Sequence, residues 1–245
     1  AVRAAGRVAR ALGPACGARV VFLWPDLPGV VCASFGPIKT GAIPGPANTL
    51  LTVHDLTYIL ADSRARACVG APSLLHQVVG ARAALPWRRH VIVTGAAQDK
   101  DRSDGVLSLE TWMAAAAPEL SPADTTPDDA CFWLYSSGTT GFPKGAVHLQ
   151  HDMLFCAETY GKHILENTEN DRHFTVSPLF HAYGLGNGAF FPFRVGASTI
   201  YKPDRATPDP VYRPIPPQRP PTPPPPPPTT PRPPPHPPPP SPHPH

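Results

Sequence analysis

The 245-residue chain has a formal net charge of only +3 at pH 7, and its 21 Lys and Arg residues form no long basic run. This pattern argues against a nucleic-acid-binding arm. No apolar stretch reaches the roughly 18 residues that a membrane-spanning helix needs. We therefore expect neither nucleic acid nor a membrane span among its partners.

The chain divides by composition near residue 207. The first part has apolar runs separated by Gly, Pro and Asp, whereas the rest is mostly proline and holds almost no apolar side chains to bury. We therefore predict a folded part over residues 1–210 and a disordered proline-rich tail over 211–245. The N-terminus shows no signal-peptide pattern. The first residue is Ala1 and not Met, so we expect the true start of the chain to be missing.

Helical and strand patterns alternate along the folded part. Thr52 can cap a helix through its hydroxyl, and Asp55 suits the positive end of that helix. The alternation predicts an α/β fold of mostly parallel layered sheets with flanking helices. The predicted helices cover residues 2–12, 30–39, 52–60, 73–85 and 151–160. The predicted strands cover 19–24, 67–69, 90–93, 131–135 and 146–148, with 98–105 and 118–129 as loops, and 174–176, 186–193 and 198–201 continuing the alternation.

The five cysteines lie far apart, form no Cys-x-x-Cys pair and are odd in number. This spacing argues against a zinc site or a disulfide framework. Scattered cysteines with apolar neighbours are typical of small core residues and fit a cytoplasmic protein. The cysteines interpreted in this way are Cys16, Cys32, Cys68, Cys131 and Cys156.

A glycine-rich loop, Ser-Ser-Gly-Thr-Thr-Gly-Phe-Pro-Lys-Gly, follows the apolar strand at 131–135. Glycines let the backbone approach a ligand, and the N–H groups, the hydroxyls and one lysine together suit a polyphosphate. The spacing is not that of a Walker A loop, which needs Gly-Lys-Ser/Thr. Such a stretch can also be a flexible surface loop, but its position after a buried strand favours phosphate binding.

This loop resembles the AMP-binding signature of the adenylate-forming superfamily, which includes acyl-CoA synthetases, luciferases and peptide-synthetase adenylation domains. The resemblance extends over about residues 1–210, although only the loop is highly specific. It implies that the loop binds the β- and γ-phosphates of ATP, with Mg²⁺ present and coenzyme A as the thiol co-substrate. The phosphate-binding residues implied are Ser136, Ser137, Gly138, Thr139, Thr140, Gly141 and Lys144.

Residues 178–187, Pro-Leu-Phe-His-Ala-Tyr-Gly-Leu-Gly-Asn, resemble the next motif of the superfamily, and the last six are similar to benzoate-CoA ligases. The resemblance implies that Ala182, Tyr183 and Gly184 border an aryl pocket and that His181 lies beside the adenylate. One residue departs from that branch, because many benzoate ligases are expected to carry an aromatic where His181 stands. A fatty-acyl-CoA ligase or a peptide-synthetase adenylation domain is therefore the alternative.

In this superfamily the adenine-binding segment, the acidic metal ligand and the lid with its adenylation lysine come later in the chain. None has a counterpart here, so we assign no catalytic residue and no metal ligand. We expect the chain to be an N-terminal fragment that is inactive alone. A non-catalytic interaction protein is the other class of function.

The tail consists of residues that C-rich codons can encode, which is what a GC-rich gene read in a wrong frame would produce. The alternative is a true polyproline II segment. Its Pro-x-x-Pro spacing, with Arg219 and Arg232, would suit an SH3-type partner. The three histidines of the tail, His236, His243 and His245, are interpreted as bystanders.

Overall fold

The structure is a computed structural model that describes residues 16–26, 28–84, 90–94, 106–115, 121–136 and 141–201. The predicted helix at 2–12, the predicted loop at 98–105 and the proline-rich tail lie outside the described residues. Residue 27 also lies outside the described residues, and the side chains at 28, 84, 90, 112 and 115 are not described.

A five-stranded parallel sheet with the order β2-β1-β3-β4-β5 forms the first layer. β1 lies between β2 and β3 and is buried from Val20 to Leu23, as expected for a strand covered on both faces. The elements of this part are β1 (Arg19–Leu23), α1 (Pro28–Lys39), β2 (Ile43–Pro46), α2 (Val53–Asp62), β3 (Ala67–Gly70), α3 (Leu75–Gly80), β4 (His90–Val93), β5 (Val106–Ser108) and α4 (Leu109–Ala115).

The sheet separates two apolar clusters because alternate residues of a strand point to opposite faces. Val21 and Leu23 pack on one side with the buried face of α2, whereas Val20 and Phe22 pack on the other with Ala33 of α1. The predicted parallel α/β fold is therefore confirmed in its main layer.

Helix α2 begins with the predicted capping residue. Thr52 and Asp55 form a reciprocal capping box, in which the Thr52 hydroxyl accepts from the Asp55 N–H and the Asp55 carboxylate accepts from the Thr52 N–H. The apolar face of this helix, which consists of Leu56, Ile59 and Leu60, is buried. Cap and face together fix this helix on the sheet.

The second part of the chain adds two smaller sheets. Strands β6 and β7 pair in antiparallel fashion, and β8 and β9 pair in parallel. Two π-helical segments, Ala157–Lys162 and Gly186–Phe190, each follow a short α-helix. The elements are β6 (Ala130–Ser136), β7 (Lys144–Leu149), α5 (Gln150–Cys156), β8 (Arg172–Phe174), α6 (Ala182–Leu185), α7 (Phe191–Val195) and β9 (Ser198–Ile200).

The structure divides or shortens several predicted elements, including the helix predicted over 151–160, which changes to a π-helical segment after Cys156. The helix predicted over 73–85 is divided into the 3₁₀ turn Pro72–Leu74, helix α3 and the 3₁₀ turn Arg82–Ala84. Helix α3 ends at Gly80, a poor helix former against which Val53 packs closely. The strand predicted at 174–176 ends at Phe174, because the Thr175 hydroxyl bonds locally with the backbone of Ser177.

The interpretation of all five cysteines as core residues is correct for Cys68 and Cys131, which are buried. It is wrong for Cys16 and Cys156, which are exposed, and Cys32 is only partly buried. Burial raises the pKa of the Cys68 thiol to about 12. Within the described ranges, no helix is long and apolar enough to cross a bilayer.

Candidate functional site

The glycine-rich loop connects two antiparallel strands. Ser136, the last residue of β6, lies opposite Lys144, the first residue of β7. The connection between them is therefore a hairpin whose two ends are held in register by the ladder. Ser137, Gly138, Thr139 and Thr140 lie outside the described residues.

Side chains at both ends of this hairpin are exposed to solvent. Ser136 and Lys144 are exposed, so the hydroxyl and the ammonium are available to an anion. Gly141 has a φ of +129°, a backbone conformation that side chains rarely adopt. The described part of the loop thus offers a positive charge, a hydroxyl and an unusual backbone at one place, which is chemistry suited to phosphate.

Two aromatic residues of the hairpin, the exposed Phe142 and the partly exposed Tyr135, contact helix α2. The ring of Phe142 stacks on Tyr58 with centroids 4.7 Å apart and planes at 15°. The Tyr135 hydroxyl donates to the Asp62 carboxylate at 2.6 Å. Sequence reasoning missed these contacts because they join residues 84 and 73 positions apart.

The second predicted segment, His181 to Gly184, forms the start of α6. His181 precedes the first turn with an extended backbone, and His181, Ala182 and Tyr183 are exposed. Gly184 is buried, and a Cβ there would lie 2.1 Å from the carbonyl oxygen of Pro178. Only glycine fits at this position, and it allows α6 to pack directly on the preceding backbone.

Glycines also allow both π-helical segments to pack closely against Phe191, the first residue of α7. A Cβ on Gly161 or Gly186 would lie less than 3.0 Å from the ring or the Cβ of Phe191. The Tyr160 and Phe191 rings are 5.6 Å apart. Burial, and to a smaller extent Tyr160, raises the pKa of the Tyr183 hydroxyl. Tyr183 is therefore partly shielded from solvent, although the residue is 37% exposed.

The two predicted segments share one apolar cluster. Cys131, Phe132 and Leu134 of β6, the strand that leads into the loop, pack with Leu179 and Leu185 around α6. The hairpin and the second segment are thus positioned by the same strand.

Asp26 links the first layer to this second part. Its carboxylate accepts the Leu179 N–H at 3.1 and 3.2 Å. Burial raises the pKa of Asp26 from 3.8 to about 6, against the opposing effect of that hydrogen bond. Sequence reasoning assigned no role to Asp26, because its partner is 153 residues away.

No group of three or more His, Cys, Asp or Glu side chains that could hold a metal ion occurs within the described ranges. The aspartates around α5 form local pairs with histidine, such as the 3.3 Å contact between His148 Nδ1 and Asp152 Oδ2. We therefore assign no metal ligand to the described residues.

Three kinds of comparison point to the same relatives. The family model described as AMP-binding enzyme matches residues 1–220. A benzoate–CoA ligase of Thauera aromatica is 43% identical over 177 residues, which cover 72% of this chain and 32% of the relative. The chain thus spans about a third of the length of this curated relative.

Two solved structures have the same fold as this chain. The anthranilate CoA ligase AuaEII in complex with anthranoyl-AMP superposes with a TM-score of 0.79 at 35% identity, over 84% of this chain and 39% of that one. A benzoate CoA ligase from Burkholderia xenovorans LB400 superposes with a TM-score of 0.75 at 36% identity, over 86% and 40% respectively.

Proposed function

The chain belongs to the AMP-binding enzyme family, and we propose that it is the N-terminal part of a ligase that converts an aromatic, benzoate-like acid to its CoA thioester. The 43% identity to a benzoate–CoA ligase carries this proposal. The 35% and 36% identity to solved anthranilate and benzoate CoA ligases of the same fold also supports it. We propose further that residues 1–210 are part of the adenylation domain and that 211–245 are a separate tail.

The reaction requires that a poor leaving group on the acid be replaced. A carboxylate oxygen attacks the α-phosphorus of ATP, the bond to the β-phosphate oxygen breaks, and acyl-AMP and pyrophosphate form. The thiol of coenzyme A then displaces AMP from the acyl carbon and loses its proton. Negative charge increases on the departing pyrophosphate, so preorganised donors near it lower the barrier.

The hairpin loop supplies those donors in our proposal. Lys144 would stabilise charge on the pyrophosphate, and the loop N–H groups and the Ser136, Ser137, Thr139 and Thr140 hydroxyls would hold it. Gly138 and Gly141 would let the backbone approach. Mg²⁺ would enter bound to ATP and neutralise phosphate charge.

The second segment borders the acyl pocket in our proposal. Tyr183 and Ala182 would contact the aryl ring, and Gly184 would bring α6 close to the backbone of Pro178, where its steric fit is tight. His181 would lie beside the adenylate. Because His181 replaces an expected aromatic residue, a fatty-acyl substrate is the second candidate.

We propose that the 245-residue chain alone does not complete adenylation. The chain covers 32% of the benzoate–CoA ligase relative, and neither the adenine-binding segment nor the lid lysine has a recognisable counterpart in its sequence. Purified chain should therefore give no ATP–pyrophosphate exchange with benzoate. Robust exchange would contradict this part of the proposal without affecting the assignment of the loop.

A chimera tests the substrate class. The matched segment of the Thauera ligase is replaced with the corresponding residues of this chain, and ATP–pyrophosphate exchange is measured with benzoate, 2-aminobenzoate and a long-chain fatty acid. We expect exchange with the aromatic acids, abolished in the same chimera carrying Lys144→Ala. Exchange that depends only on the fatty acid would overturn the aromatic assignment.

A further inference from the structure

One face of α2 contacts the glycine-rich hairpin. Tyr58 and Asp62 are four residues apart, so they lie one above the other on the same side of the helix. Leu56, Ile59 and Leu60 are buried on the sheet side. The capping box at Thr52 fixes the first turn. The hairpin therefore meets a helix whose position is determined by the core.

The two contacts hold both limbs of the hairpin. Asp62 accepts the hydroxyl of Tyr135 on β6, one residue before the loop. Tyr58 stacks on Phe142, two residues before Lys144 on the returning limb. Phe142 is 61% exposed, so the sheet core does not explain its position.

We propose that Tyr58 and Asp62 are positioning residues that hold the two described ends of the phosphate-binding hairpin, at Phe142 and Tyr135, against α2. This inference rests on the proposed function of the loop. A loop held in place has less conformational freedom to lose when it binds an anion, and preorganisation of this kind increases affinity. An aromatic pair of this geometry corresponds to about a two- to tenfold change in affinity.

Amide hydrogen exchange of the 245-residue chain tests the contact without any ligand. Phe142→Ala and Tyr58→Ala should each increase exchange in peptides that cover residues 136–145, whereas Tyr58→Phe, which keeps the ring stack, should match the wild type. Phe155→Ala removes another exposed aromatic residue, on α5, and should leave these peptides unchanged. Phe142 is exposed, so its variant should fold even if Tyr58→Ala does not.

The hydrogen bond is tested with a second pair. Asp62→Ala removes the acceptor of Tyr135 and should also increase exchange in the hairpin, whereas Asp62→Asn keeps an acceptor oxygen and should restore most of the protection. If Phe142→Ala, Tyr58→Ala and Asp62→Ala all leave hairpin exchange unchanged, the positioning role is wrong.

Calorimetric titration with magnesium pyrophosphate then relates positioning to binding. Phe142→Ala should weaken binding by about two- to tenfold, and Tyr58→Phe should bind as the wild type does. Unchanged or tighter binding by Phe142→Ala would overturn the effect on affinity. If wild-type chain binds no pyrophosphate, the proposed phosphate-binding role of the loop fails, while the exchange data still decide whether α2 holds the hairpin.

Discussion

The two candidate site segments are built in opposite ways. The hairpin presents exposed side chains at the ends of a two-stranded ladder and is held from outside by α2. The α6 segment depends on glycines that let backbone and rings approach closely. Changes in the hairpin should therefore affect binding and spare folding, whereas changes at the α6 glycines should affect folding first.

Gly184→Ala should have the largest effect. A Cβ would lie 2.1 Å from the Pro178 carbonyl oxygen and 2.4 Å from that of Ser177, so the backbone must move. We expect a loss of about 3 kcal/mol or more in the free energy of unfolding, measured by urea denaturation. Gly45→Ala is the matched control, since its Cβ would meet nothing closer than 3.8 Å, and a loss as large there would contradict the account.

Lys144→Ala should leave stability unchanged and weaken binding. Its side chain is exposed at the start of β7, and a hydrogen bond to a charged group contributes about 1.5–3 kcal/mol. Affinity for magnesium pyrophosphate should thus fall by about ten- to a hundredfold in a calorimetric titration. Lys162→Ala removes the same charge on a different segment and should bind normally. Equal losses in both variants would indicate a non-specific charge effect.

Asp26→Asn should change how stability depends on pH. The pKa of Asp26 is raised by burial to about 6, so the folded state binds its proton more tightly than the unfolded state does. The contribution of protonated Asp26 to the free energy of unfolding is fully present below about pH 4 and is lost as the pH rises through 6. The variant should lack that loss and exceed wild type by about 1 kcal/mol at pH 7.5, allowing for partial exposure of the carboxyl.

The control for this prediction is internal. At pH 4 the protonated carboxyl of Asp26 and the amide of the Asp26→Asn variant both offer an oxygen to the Leu179 N–H, so the two proteins should have similar stability in denaturation curves. Parallel curves of stability against pH from 4 to 7.5 would show that Asp26 does not titrate as proposed.

Thr52→Ala should have the smallest effect. It removes the capping hydroxyl of α2, which is worth about 1 kcal/mol, and Tm should fall by a few degrees. Thr57→Ala, within the same helix, removes only a bond to the Val53 carbonyl and should be near neutral. An equal fall in Tm for Thr52→Ala and Thr57→Ala would mean that side-chain packing, and not the cap, stabilises α2.

Local signals in the sequence predicted much of the first layer. The apolar run that became β1 and the Thr52 cap are read from neighbouring residues, and both are confirmed. Strand β5 and helix α4 were missed because Val106–Ser108 is only three residues long and has no clear alternation. The order of the five strands depends on pairing between distant segments, which no local pattern encodes.

The sequence predicted which residue types form the candidate site more completely than it predicted their contacts. The motif identified the loop, and Gly141 has the positive φ that a glycine there allows. The sequence could not indicate that Phe142 stacks on Tyr58 or that Asp26 is buried against Leu179, since both depend on how the layers pack. The roles of Ser136, Lys144, His181 and Tyr183 remain predictions that ligand binding must test.

Backbone amide chemical shifts during titration with magnesium pyrophosphate test the central claim most directly. We predict that the largest saturable shifts fall between residues 136 and 145, and that Lys144→Ala reduces the apparent affinity for magnesium pyrophosphate. Shifts that are absent at saturating pyrophosphate, or that cluster on the α6 segment, would contradict the assignment of the hairpin as the phosphate-binding loop.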